Sequence, residues 1–143
     1  MHKLLLVEDD PVSSSNINKL LSGFCQIHTT STTDIGRHLA NANKYSLVMI
    51  DVNLRSTSTG IGTANSIKNI SGYDSIPIVA FVITKLDESK EFLLARGYTH
   101  LITEPYNSRN FAQQIKFILS SKQNSNNSEF SQVGKNSVAK IEY

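Results

Sequence analysis

The chain has 143 residues, with 14 Lys and Arg against 12 Asp and Glu, a formal charge of +2, one cysteine and no tryptophan. That length suits one domain with a sizeable core. The balanced charge offers no basic stripe for a nucleic acid, no segment approaches the roughly 20 apolar residues of a membrane span, and the lone Cys25 excludes an internal disulfide.

Strand and helix signals alternate along the chain. The first strand is expected at about Lys3 to Val7, followed by Asp10 and Pro11 as an N-cap and first helical residue. In the next helix Ile17, Leu20, Leu21 and Phe24 share a face. A weak strand at Cys25 to Thr29 precedes a helix at Thr32 to Asn41, with Ile35, Leu39 and Ala42 expected inward. Tyr45 to Ile50 reads as the third strand, Ser56 to Gly62 as a polar loop, and Ile61, Ala64, Ile67 and Ile70 as the apolar face of a third helix. Pro77 opens a fourth strand, Ile78 to Ile83; a helix from Asp87 stops at Gly97; His100 to Ile102 is the fifth strand. The last helix spans about Ser108 to Ser120, with Phe111, Ile115, Ile118 and Leu119 on one side. The folded domain is expected over 1–121. From 122 to 143 a flexible polar tail is expected, because its Ser/Asn-rich start cannot bury enough apolar area to offset ordering.

Five βα units of this size predict an α/β fold, a doubly wound parallel sheet with right-handed crossovers. Ligands of such sheets bind beyond the carboxyl ends of the strands. Glu8 and Asp9 directly follow Leu4-Leu5-Leu6-Val7, and Asp51 directly follows Leu47-Val48-Met49-Ile50. Three carboxylates delivered to one edge repel one another unless a hard divalent cation offsets them. Taken singly, each carboxylate could equally be a solvated strand end or a helix-start acid.

With these motifs in place the chain resembles the receiver domain of response regulators over residues 3 to about 120. The resemblance rests on Leu-Leu-Leu-Val-Glu-Asp-Asp-Pro at 4–11, Met-Ile-Asp-Val-Asn-Leu at 49–54, Gly60-Ile61, Ile76-Pro77-Ile78 and Glu104-Pro105. It implies a flavodoxin-like (βα)5 fold with strand order 2-1-3-4-5, and a module that is not a free-standing enzyme. It also implies a phosphoryl group passed from a partner histidine kinase or phosphotransfer protein to Asp51, with weakly bound magnesium or manganese. Asp51 matches the phosphoacceptor, Glu8 and Asp9 the acidic pair, and Asn53 the position whose backbone carbonyl reaches the metal. A carboxylate can serve as such a nucleophile, and the reaction asks for positioning and charge neutralisation more than for covalent help.

Three positions depart from the family. Glu104 stands where the family has Lys, Val82 where it has Ser or Thr, and Leu101 where Tyr or Phe is frequent. At ~5 Å and an effective dielectric of ~20, one unit charge pair is worth of order 3 kcal/mol, enough for a reversal at Glu104 to outweigh a typical switch. Thr84 and Lys85, in the following loop, could compensate. Two readings follow: a phosphorylatable receiver, or a pseudo-receiver acting only as a protein-interaction module. A small phosphatase using Asp51 is disfavoured, because Asn53 stands where a general acid is needed. A flavodoxin is excluded by the acidic first loop, and Gly60-Ile61-Gly62 is no dinucleotide fingerprint. The four histidines show no metal-ligand spacing. Output is expected through a downstream protein or a homodimer, on the 87–119 face, with Tyr98, Tyr106 and Phe111 at its rim. The N-terminal apolar run is too short for a signal peptide, so the expected location is the cytoplasm, with no membrane or nucleic-acid partner.

Overall fold

Continuous apolar runs become strands buried on both faces. The computed structural model describes residues 1–52, 62–83, 90–104 and 108–121, and the backbone of 131–132 and 137–140. In chain order the elements are β1 (His2–Val7), α1 (Pro11–Leu21), β2 (Cys25–Thr30), α2 (Thr33–Ala42), β3 (Leu47–Asp51), α3 (Thr63–Lys68), β4 (Ile78–Ile83), α4 (Lys90–Ala95), β5 (His100–Glu104), α5 (Ser108–Ser121), β6 (Ser131–Gln132) and β7 (Ser137–Lys140). The first five strands are parallel in the order β2-β1-β3-β4-β5.

Side-chain alternation divides the core in two. Leu5, Val7, Val48, Ile50, Ile78 and Ala80 pack with Ala40 of α2, Ala64 and Ile67 of α3, and Leu93 of α4. Leu4, Leu6, Leu47, Met49, Val79 and Phe81 pack with Ile17 and Leu21 of α1 and with Phe111, Ile115 and Ile118 of α5. Phe81 and Phe111 stack at 5.9 Å between ring centroids, a geometry that adds to burial. Cys25 is a buried strand residue. No helix among the described residues is long and apolar enough to cross a membrane.

The inward face of α2 differs from expectation. Ile35 is 51% exposed and Ala42 is exposed, whereas Leu39 packs half-buried against the core as expected. Thr33, Gly36 and Ala40 face the sheet instead. Close approach is the reason: a Cβ at Gly36 would lie 3.0 Å from Val7 Cγ2, so the packed face is the small one. Large apolar side chains would hold the helix further away.

Outside β5 the sheet continues with β7 and then β6, both antiparallel. His100, Leu101 and Ile102 pair with Lys140, Ala139 and Val138. A flexible tail was expected from 122 onward; these two short strands lie within it. Strand β5 would otherwise present a row of unpaired backbone N–H and C=O groups, which is a template for pairing.

Candidate metal and phosphoacceptor site

Strands β1 and β3 are neighbours and end level, with Val7 opposite Ile50. The residues just beyond are therefore brought side by side. Glu8 prolongs the β1–β2 pairing, since its N–H donates to the Thr30 carbonyl at 2.9 Å. Its side chain is 4% exposed, and Oε2 accepts the Asp10 N–H at 3.3 Å. Asp51 is the last residue of β3 and pairs with Phe81 of β4. The Val52 N–H donates to the Phe81 carbonyl at 3.3 Å, which fixes the chain on the far side of Asp51.

Glu8, Asp9 and Asp51 each offer a carboxylate oxygen, and these atoms all lie within 4.8 Å of one another. Glu8 is buried, while Asp9 and Asp51 are half-buried. Three carboxylates so close, one out of water, require an offsetting charge. The donors are all hard oxygens, a set that suits magnesium or manganese and not softer thiolate-seeking metals. The residues present therefore fit the cation that the sequence implied.

Asp10 does different work. Its backbone is extended, its Oδ1 accepts the Val12 N–H at 3.2 Å, and its Oδ2 accepts Ser13 Oγ at 2.8 Å. It caps α1, as Asp before Pro predicts, and the Ser13 hydroxyl belongs to that cap.

Val82, Leu101 and Glu104, the positions singled out in the sequence, lie on β4 and β5. Val82 lies one residue beyond Phe81 on β4 and pairs with Thr103; Glu104 ends β5 and pairs with Ile83. Leu101 is half-buried against the core on the α2–α4 side. Asn53, Thr84, Lys85, Pro105 and Tyr106 lie outside the described residues, as do Gly60 and Ile61.

Tyr98, expected at the rim of a partner surface, is interior, and Phe111 lies in the core that its spacing with Ile115, Ile118 and Leu119 favoured. Tyr98 and Phe111 are both fully buried, so neither offers surface to a partner. Tyr98 also has a neighbour that its sequence position did not announce. Burial, and secondarily the charge of Asp51, push its phenol upward from the usual tyrosine range, so the ring lies within electrostatic reach of the acid cluster. The signal was Gly97. At φ +94, with a would-be Cβ 2.5 Å from Asn65 Oδ1, it seats the α4–β5 turn tightly on α3 and carries the next residue inward.

The response regulator receiver domain family model matches residues 4–116. Among solved structures, the chemotaxis protein CheY4 of Vibrio cholerae matches with a TM-score of 0.76 at 20% identity, covering 82% of this chain and 98% of that one. A CheY-like receiver domain protein of Methanospirillum hungatei JF-1 matches with a TM-score of 0.77 at 18% identity, covering 87% and 98%. The receiver domain of the sensor histidine kinase PA1611 of Pseudomonas aeruginosa PAO1, with a magnesium ion coordinated in its active-site cleft, matches with a TM-score of 0.74 at 20% identity, covering 84% and 98%. No curated protein matches in sequence. The family match spans the five βα units and the acidic edge, and the chain belongs to the response regulator receiver domain family of two-component signalling.

Proposed function

We propose that this receiver accepts a phosphoryl group on Asp51, with magnesium or manganese held by Glu8, Asp9, Asp51 and the Asn53 carbonyl. The observation that carries the reading is the gathering of three carboxylates from two strands within 4.8 Å. A bound divalent cation lowers the repulsion between a carboxylate nucleophile and the phosphoryl oxygens. The chain's own part is positional. Asp51 is held in backbone position by strand pairing on one side and the Val52–Phe81 hydrogen bond on the other, which sets where its carboxylate meets an incoming donor. A carboxylate oxygen bonds to phosphorus as the bond from phosphorus to the donor nitrogen or oxygen breaks, and the leaving group keeps the electron pair.

Receivers take the phosphoryl group from histidine kinases or phosphotransfer proteins, and the donor here belongs to that class, in the cytoplasm. Output runs through a protein contact on the 87–119 side, where Tyr106 is the remaining aromatic candidate. A second reading, the pseudo-receiver, is favoured by one feature. Glu104 ends β5, where the family's cation would offset phosphoryl charge.

Incubation with magnesium and a small acyl phosphate, followed by intact mass, separates the two. The switching reading predicts one added phosphoryl mass in the parent and none in Asp51→Asn. An unmodified parent that Glu104→Lys converts into a reactive one supports the pseudo-receiver reading. Modification of Asp51→Asn to the same extent as the parent contradicts Asp51 as the acceptor.

A further inference from the structure

The parallel sheet has a second edge that the acidic site does not use. At the amino ends of β1, β3 and β4 lies an open cavity of about 450 Å³. Strand β1 carries both ends of this arrangement. Lys3 borders the cavity and Glu8 the acid cluster, roughly 16 Å apart at a strand's rise per residue. The two sites are separate.

The cavity is preformed and amphipathic. Tyr45, Tyr73 and Ile76 contribute to its walls, and the two rings are buried. Their positions are held by hydrogen bonds. The Tyr73 hydroxyl donates to the Asn43 carbonyl at 2.7 Å and accepts the Tyr45 N–H at 3.2 Å, while the Tyr45 hydroxyl meets His28 Nδ1 at 2.6 Å. Helix α2 ends here, and a helix C-terminus repels anions. One carbonyl of that last turn is doubly engaged, since the Asn43 N–H and Nδ2 both donate to the Leu39 carbonyl at 3.0 Å.

Charge at this cavity has one sign. Lys3 and Lys44 border it and no Asp or Glu among the described residues lines it. Among the described residues neither ammonium has a carboxylate partner; the ion pair on α2 joins Arg37 to Asp34. The acid next to Tyr73 in sequence, Asp74, acts on Lys68. A concave site of this size, with walls only partly apolar and a few convergent polar groups, is a form in which small molecules are held.

We propose that this cavity binds a small amphipathic anion, with its apolar body against the half-buried Ile70 and Ile76 and its carboxylate or phosphate head between Lys3 and Lys44. Such a ligand would reach the receiver at the edge opposite Asp51, leaving the phosphoacceptor free.

The test is a titration of the full chain without magnesium, followed by backbone amide shifts in two-dimensional NMR. The probes are phenylacetate, phenyl phosphate and the uncharged 2-phenylethanol. Saturable shifts at Lys3, Asn43 to Tyr45 and Tyr73 with at least one anion are expected, and which anion binds more tightly identifies the head group. The Lys3→Gln/Lys44→Gln variant should bind that anion roughly five- to tenfold more weakly, with an otherwise unchanged spectrum that reports an intact fold. Three results would overturn the proposal: equally tight binding of 2-phenylethanol, unchanged affinity in the double variant, or shifts confined to Glu8 to Asp10.

Discussion

Glu8 accepts the backbone N–H of Asp10 at 3.3 Å through Oε2, so two acids two residues apart are turned to opposite tasks. Glu8 points into the sheet edge with Asp9 and Asp51, while Asp10 caps α1. Asp10→Ala should therefore cost about 1 kcal/mol of stability through the lost cap and leave divalent-cation affinity unchanged. Thermal melts and a metal titration on the same variant check both halves. A loss of affinity as large as that of Asp9→Ala would place Asp10 among the ligands instead.

Two glycines share a positive φ of 94° but differ in surroundings. A Cβ at Gly72 meets nothing within 4 Å, whereas one at Gly97 meets Asn65 Oδ1 at 2.5 Å, Asn65 N at 3.0 Å and the Ala64 carbonyl carbon at 3.2 Å. Gly72→Ala should cost about 1 kcal/mol from backbone strain alone. Gly97→Ala should cost about 2 kcal/mol or more, because α3 backbone must also move. Denaturant melts rank the pair, and equal costs would mean that the α3 contact at Gly97 yields without resistance.

Alkaline pH should destabilise the fold in a defined window. Burial raises the Cys25 thiol from 9.0 to about 11 and the Tyr45 phenol from 10.0 to about 12; burial also raises Tyr73. The folded chain thus keeps protons that the unfolded chain has released. Stability is intact below pH 9, falls as pH rises through 11, and falls further towards 12. Denaturant midpoints across that range give the slope, and Cys25→Ala should flatten it between pH 9 and 11. An unchanged slope in that variant would assign the loss to the tyrosines alone.

Truncation after Ser121 should leave the domain folded. Every buried apolar residue among those described lies between Leu4 and Leu119. The strand β7 pairs with β5 at His100, Leu101 and Ile102, so its loss bares a sheet edge without opening the core. The expected result is a melting temperature lower by at most about 3 °C, since a small change in free energy shifts a domain of this size by only a few degrees. Hydrogen exchange should quicken at β5 amides facing the lost strand. Failure to fold would make the C-terminal strands part of the domain proper.

Much of this architecture was legible because the physics was local. Leu4 to Val7 and Leu47 to Ile50 are apolar without alternation, which fits strands buried on both faces. An acid placed directly after each run must emerge at the sheet edge, so Glu8, Asp9 and Asp51 could be brought together from spacing. What escaped was set by tertiary contact. Ile35 has the hydrophobicity of a core residue, yet Gly36 and Ala40 face the sheet because α2 packs too closely for a large side chain. Tyr98 read as a rim aromatic, but the close seat of Gly97 turns it into the core. Residues 137–140 are too few and too polar to announce a strand, and they are strand only because β5 has an open side.

The proposed phosphoacceptor chemistry needs Glu8, Asp9 and Asp51 to hold one divalent cation together. A manganese titration of the full chain, with free ion counted by electron paramagnetic resonance, measures this. One weak site is predicted in the parent, displaced by magnesium, and weakened at least about tenfold in both Asp9→Ala and Asp51→Ala, since each removes a carboxylate donor. Binding by both variants as tight as by the parent would contradict the claim.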